Sequence, residues 1–301
     1  MGAGGLLRPD RAGLQGVFQP HHAGGQAGAG IRALHFCGPE QRAGDDRHRQ
    51  QAGVFQRGLG AERVAPLPQD RAGGPLEAAD QMVSSVGGLV FIDFSDTEQP
   101  KVEGFSCDFE EYGYCLCITD TKSSHADLTD DYTAIRNEME NIAKHFGKTH
   151  LRFVNELLFY NEIPKLRETC SDRAIIRATH FFEENNRAKF EASALKDGNF
   201  EYFLELVRQS GRSSEAYLQN HYSCSDPENQ AITLAVMLSR RFLGNSGAVR
   251  VHGGGFAGTI QAFVPVGRVD DYINEMNRIF GEKSCTKMKI RPVGGVEITK
   301  E

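Results

Sequence analysis

Helices packed on an antiparallel sheet, an α+β architecture, are the expectation for residues 80–301 of this 301-residue chain. Short apolar or alternating runs punctuated by turn residues suggest strands, and long runs at helical spacing lie between them. Glycines close several of those helical runs, and glycine has the left-handed freedom that a helix stop requires. Asp80–Val86 reads as the end of a helix closed by Gly87-Gly88, and Leu89–Phe94 as an apolar strand. Tyr114–Thr119 is a second strand. Tyr132–Phe146 is an amphipathic helix, with Tyr132, Ile135, Met139, Ile142, Ala143 and Phe146 at helical spacing and Gly147 as its stop. Ser171–Leu195 and Phe200–Asn220 read as further helices. Asp226-Pro227 pairs an N-cap with proline at the first helical position and opens a helix that runs to Gly244. Strand Ala248–His252, a glycine loop and strand Thr259–Val266 follow. Helix Val269–Phe280, stopped by Gly281, and strand Cys285–Ile290 complete the series.

Bulk properties narrow the function. A net charge of −6 and a pI near 6.0 argue against nucleic acid or an anionic membrane as partner. No run approaches the length of a membrane span, and no apolar h-region marks the first residues for export. Seven cysteines, an odd number, fit reduced thiols in the cytoplasm. A strand through Tyr-Cys-Leu-Cys-Ile puts Cys115 and Cys117 on one face as core thiols, with no further ligand nearby to complete a zinc set.

Residues 1–79 are of another character. They contain no Lys, Ser, Thr, Asn or Tyr, yet hold 16 of the chain's 33 glycines. Apart from short islands such as Ile31–Phe36 they show no sustained apolar period, so they cannot bury enough surface to offset the entropy of ordering. Two readings stand: a disordered low-complexity extension, or an out-of-frame translation of GC-rich coding sequence that returns to frame at Asp80.

The densest local signal is Val249–Thr259, V-R-V-H-G-G-G-F-A-G-T. Backbone passing through three glycines reaches positive φ freely and can turn successive N–H groups toward an anion. The bridge is longer than a two-residue hairpin turn requires. A phosphate or ligand loop and a plain strand connector both fit it.

Five segments in order add a resemblance. They are D-Q-M-V-S-S-V-G-G-L-V-F-I-D-F (Asp80–Phe94), T-D-T-K-S-S-H-A-D-L-T-D-D-Y (Thr119–Tyr132), R-A-T-H-F-F-E-E-N-N-R (Arg177–Arg187), S-C-S-D-P-E (Ser223–Glu228) and G-A-V-R-V-H-G-G-G-F-A-G-T (Gly247–Thr259). Together they resemble the C-terminal portion of galactokinase, of the GHMP small-molecule kinase superfamily, over about residues 80–296. The resemblance implies a GHMP-kinase C-terminal domain at 114–301, a remnant of the N-terminal kinase domain at 80–113, and an unrelated segment at 1–79.

It also implies ATP- and Mg2+-dependent phosphorylation of galactose to galactose 1-phosphate by a cytoplasmic monomer, with unidentified metal ligands. Asp80 matches the family's catalytic aspartate beside the sugar C1 hydroxyl, as general base or as the anion that orients that hydroxyl. Tyr132 matches a tyrosine that packs on the sugar; by pattern alone it opens a helix's apolar face. Gly253, Gly254, Gly255, Phe256, Gly258 and Thr259 match the third family motif, beside the nucleotide phosphates. Ala257 stands where glycine is more usual, which a negative φ tolerates. Lys122, His125, Arg177 and His180 are expected to be structural.

The family's early G-E-H-T-D-Y sugar motif and its serine-rich phosphate loop have no match in residues 1–79, and Ala79 replaces the methionine before the catalytic aspartate. Positioning supplies about 7–11 kcal/mol of such a barrier, so a nearly inactive polypeptide is expected. Loss of the N-terminal half is also expected to strip Leu89–Phe94 of its sheet partners and to lower solubility. Other readings are a GHMP kinase for another sugar, and a non-catalytic sugar or nucleotide sensor.

Overall fold

The computed structural model describes residues 32–36, 86–96, 99–123, 128–292 and 294. The described strands form two antiparallel sheets. The smaller has the order β1 (Arg32–Phe36), β2 (Leu89–Asp93), β3 (Lys101–Phe105). Arg32 stands opposite Asp93 on one side of β2, and Leu89 opposite Phe105 on the other.

The expectation that Leu89–Phe94 lacks sheet partners is therefore corrected. One partner, β1, comes from within residues 1–79. Strand edges are completed by backbone N–H and C=O groups, which any extended segment can supply whatever its side chains.

The larger sheet runs β5 (Ala248–His252), β6 (Thr259–Pro265), β4 (Tyr114–Asp120), β7 (Cys285–Met288). Period-two alternation divides its side chains between two cores. Cys115, Cys117, Val249, Val251, Ile260, Ala262 and Val264 face one way, against α5 (Ala231–Leu243) and α6 (Val269–Phe280). Leu116, Ile118, Ala248 and Phe263 face the other way, against α4 (Phe200–Ser213) and the end of α3 (Asp172–Lys196). Both cysteines on one core face agree with their reading as core thiols. A third core joins α1 (Thr129–His145), α2 (Glu156–Thr169) and α3 around Ile142, Phe159, Leu166, Ala178 and Phe182.

Local chemistry explains most boundaries. Asn155, Ser171 and Asn199 cap α2, α3 and α4, the side chains accepting from Leu158, Ala174 and Tyr202 amides. Gly147 (φ 65°) and Gly281 (φ 103°) end α1 and α6.

Several expected bounds shift. Phe200–Asn220 is not one helix: α4 stops at Ser213, a wide π-type turn spans Ser214–Leu218, and Gln219 is left-handed at φ 57°. Asp226-Pro227 does not open a helix. It sits in a turn where the Asn229 amide donates to the Asp226 carbonyl, and α5 begins at Ala231. Asp followed by Pro suits the first two positions of a β-turn as well as it suits a helix start.

The last strand ends at Met288 rather than Ile290. Helix α2, interrupted by Pro164, and the largely exposed β3 were not foreseen, since neither carries a clean apolar period. Of the expected helix end Asp80–Val86, only Val86 lies within the described residues, and it is helical.

Candidate functional site

The glycine loop leaves the end of β5 at Gly253 and re-enters the sheet at Thr259. Gly253, Gly255 and Gly258 take positive φ (78°, 85° and 87°), as does one non-glycine residue, Phe256 at 61°. The Gly255 carbonyl accepts the Ala257 amide at 2.8 Å, closing a three-residue turn centred on Phe256. Such turns are rare and strained, at a cost of roughly 1–3 kcal/mol when a non-glycine residue occupies the centre. Ala257 is not among the positive-φ residues, so its methyl group fits as expected.

Tertiary contacts hold that strain. The Tyr132 hydroxyl, from the first turn of α1, donates to the Gly255 carbonyl at 2.8 Å. Its ring meets Phe256 edge-on, centroids 5.2 Å apart. Partial burial, with Asp131 beside it, pushes the phenol above its ordinary range, so the hydroxyl stays a donor. Asn220 grips the other side. Its carbonyl accepts the Phe256 amide at 2.5 Å, and its Nδ2 donates to the Gly254 carbonyl at 3.0 Å.

A Cβ at Gly254 would sit 2.8 Å from the Tyr132 ring, and one at Gly255 would collide with Asn220. Below the loop, Thr121 donates its amide (2.9 Å) and its hydroxyl (2.7 Å) to the Gly258 carbonyl, while Ser123 Oγ accepts the Gly258 amide at 3.2 Å. The end of β4 thus supports the exit of the loop.

With the Gly254, Gly255 and Gly258 carbonyls turned inward, the amides of Gly253 and Gly254 donate to no acceptor among the described residues, while the Gly255 amide closes the turn through Gly253 and Gly254. Gly253 and Gly254 are exposed, whereas Gly255–Gly258 are buried and Thr259 is half-buried. Two exposed glycine amides with no Cβ beside them suit an oxyanion such as phosphate. No group of three or more His, Cys, Asp or Glu suited to a metal ion stands among the described residues.

Tyr132 and all six loop residues named from sequence thus come together in one place. Asp80 and His125 lie outside the described residues. Lys122 is a surface charge paired with Asp120 at 2.9 Å. Arg177 is a buried interhelical bridge, donating to Glu138 at 2.9 Å and to the Leu218 carbonyl at 3.0 Å. His180 pairs with Ser213 at 3.0 Å, and burial lowers its pKa to about 4. Asn220, Thr121 and Ser123 were missed, because nothing in their local pattern distinguishes them from ordinary polar helix-end and loop residues.

No protein-family model matches the chain. It is 29% identical over 195 residues to a galactokinase of Mannheimia succiniciproducens, covering 64% of this chain and 47% of that protein. It is 30% identical over 159 residues to a galactokinase of Actinobacillus pleuropneumoniae serotype 5b, covering 53% of this chain and 39% of that protein. The chain therefore spans less than half the length of these curated relatives. The crystal structure of Lactococcus lactis galactokinase complexed with galactose superposes with a TM-score of 0.55 at 18% identity, over 71% of this chain and 53% of that one. No described helix is long and apolar enough to cross a membrane. From the segment order and these comparisons, the chain resembles the C-terminal portion of galactokinase, and its fold is the α+β fold of that GHMP kinase.

Proposed function

We propose that residues 80–301 are the C-terminal part of a cytoplasmic, monomeric galactokinase, which transfers the γ-phosphoryl group of ATP to the C1 hydroxyl of galactose. The observation that carries this reading is the clamped glycine loop, whose exposed Gly253 and Gly254 keep their amides open to a phosphate. In this reading ATP binds along that loop, Tyr132 presents its exposed ring edge to the sugar, and Asp80 acts as general base or as the anion orienting the C1 hydroxyl. Magnesium, when bound with ATP, would supply positive charge that offsets the charge on the transferred phosphoryl group. Residues 114–301 are the C-terminal domain, 80–113 a remnant of the N-terminal one, and 1–79 an out-of-frame segment.

Because the early sugar motif and the serine-rich phosphate loop have no match in 1–79, the purified chain is expected to turn over slowly, several orders of magnitude below an intact kinase. A coupled assay of galactose-dependent ADP release checks this; brisk turnover refutes the loss. Sequencing the DNA upstream of the Asp80 codon tests the parent identity. A second frame encoding G-L-S-S-S-A and G-E-H-T-D-Y supports a galactokinase, and three frames without them leave the sensor reading in its place.

A further inference from the structure

The strained turn at Phe256 would relax if nothing outside the loop opposed it. Two residues oppose it, and they differ in kind. Tyr132 reaches the loop from an exposed position, so its contact stands at the surface. Asn220 is 2% exposed and holds the loop from behind. Its carbonyl takes the Phe256 amide, its Nδ2 takes the Gly254 carbonyl, and its Oδ1 accepts the Ser214 hydroxyl at 2.6 Å.

The backbone around Asn220 is shaped to make this reach. The π-type turn Ser214–Leu218 widens the end of α4, and Gln219 turns left-handed (φ 57°) immediately before Asn220. Widened helical turns of this sort are commonly found at functional sites. Ser214 therefore fixes which end of the Asn220 amide faces the loop: with Oδ1 committed to the Ser214 hydroxyl, Nδ2 must point at Gly254.

We infer that Asn220 is a positioning residue that holds the glycine loop with its carbonyls inward, and so keeps the Gly253 and Gly254 amides open to an incoming phosphate. Asn220 touches no substrate in this role; it acts through the loop. The inference rests on the phosphate-binding reading of that loop.

The test uses the full chain labelled with 15N-glycine and titrated with ATP, alongside the Asn220→Asp form. Aspartate keeps the volume and the acceptor for Ser214, but it replaces the donor to Gly254 with an oxygen. In the parent chain, ATP should shift the Gly253–Gly255 amide resonances. In the variant, those resonances should already be displaced without ligand, and the ATP dissociation constant should rise about tenfold. The thermal midpoint should fall as well, because the new carboxyl is buried against the Gly254 carbonyl. A variant that binds ATP as tightly as the parent overturns the positioning role, whatever its loop resonances do. If the parent's loop glycines ignore ATP, the phosphate reading itself falls and the inference falls with it. Should Asn220→Asp fail to fold, Ser214→Ala leaves Asn220 in place but unanchored, and must show the same weakening at smaller size. Unchanged affinity in that variant overturns the inference.

Discussion

Glu191 shows how one side chain's surroundings can reverse its ordinary behaviour. It is 4% exposed on α3, where Arg250 of β5 stands 4.0 Å away and Arg187 and Glu184 share its helix. Arg250 is closer to Glu184, at 3.5 Å, and Ser210 donates to Glu184 at 2.5 Å, so Glu184 keeps the charge. Glu191, with Oε1 unpartnered, is raised by burial from 4.5 to about 7. A raised carboxyl pKa means the folded state binds more protons than the unfolded one. Stability is therefore lost as pH climbs from about 4.5 to about 7 and stays lost above that. Glu191→Gln should remove this loss and gain about 1–3 kcal/mol over the parent at pH 8 in urea unfolding, with little difference at pH 4.5.

Gly255 is the sharper residue-scale test of the loop. Its φ of 85° and the collision that a Cβ would make with Asn220 both oppose substitution. Gly255→Ala should cost about 1–3 kcal/mol in thermal unfolding and abolish any ATP response of Gly253 and Gly254.

At the scale of elements, three of the described helices, α2, α3 and α4, hold their first turns by side-chain caps. Helix α3 is the long strut that touches all but one face of the interior, packing on α1, α2 and α4, and its first turn depends on the Ser171 hydroxyl accepting the Ala174 amide at 3.1 Å. Ser171→Ala should lower stability by about 1 kcal/mol, read as a fall in denaturant midpoint with unchanged slope. The same logic separates the two misplaced helix ends from the correct ones. Gly147 and Gly281 stop α1 and α6 by their own backbone freedom, a local property. The end of α4 is set instead by the reach of Asn220 to a loop more than thirty residues ahead, and the true start of α5 by a turn that Asp226-Pro227 could equally have avoided.

The described residues form two sheets and a helical layer, joined at buried polar points as well as through apolar cores. Arg152, after α1, donates to both oxygens of Asp93 in β2 (2.9 and 3.1 Å) and to Asn185 of α3 at 2.9 Å. The pair is about nine-tenths buried, 10% and 12% exposed at the side chains, so it ties the smaller sheet to the helices where water cannot substitute. Arg152→Ala takes the guanidinium from a buried carboxylate that also accepts the Ser95 amide, and should destabilise by about 1–3 kcal/mol in chemical denaturation. Replacing both partners with apolar residues should recover much of that loss, which a double-mutant cycle measures.

Most of the larger sheet could be read along the chain. Alternating Ala248–His252 and Thr259–Val266, the Cys115/Cys117 pair on one face, and the Val269–Phe280 amphipath all follow from periodicity, because burial on a pleated or helical surface imposes it directly. The loop's glycines were equally plain, since Gly253, Gly255 and Gly258 stand at positive φ, which favours glycine. The left-handed Phe256, the Asn220 clamp, the Arg152–Asp93 pair 59 residues apart, and the β1 partner of β2 left no such mark. Each is a single contact between distant stretches. One asparagine or one extended pentapeptide does this work with no repeating pattern, and its meaning arises only when the chain has folded back on itself.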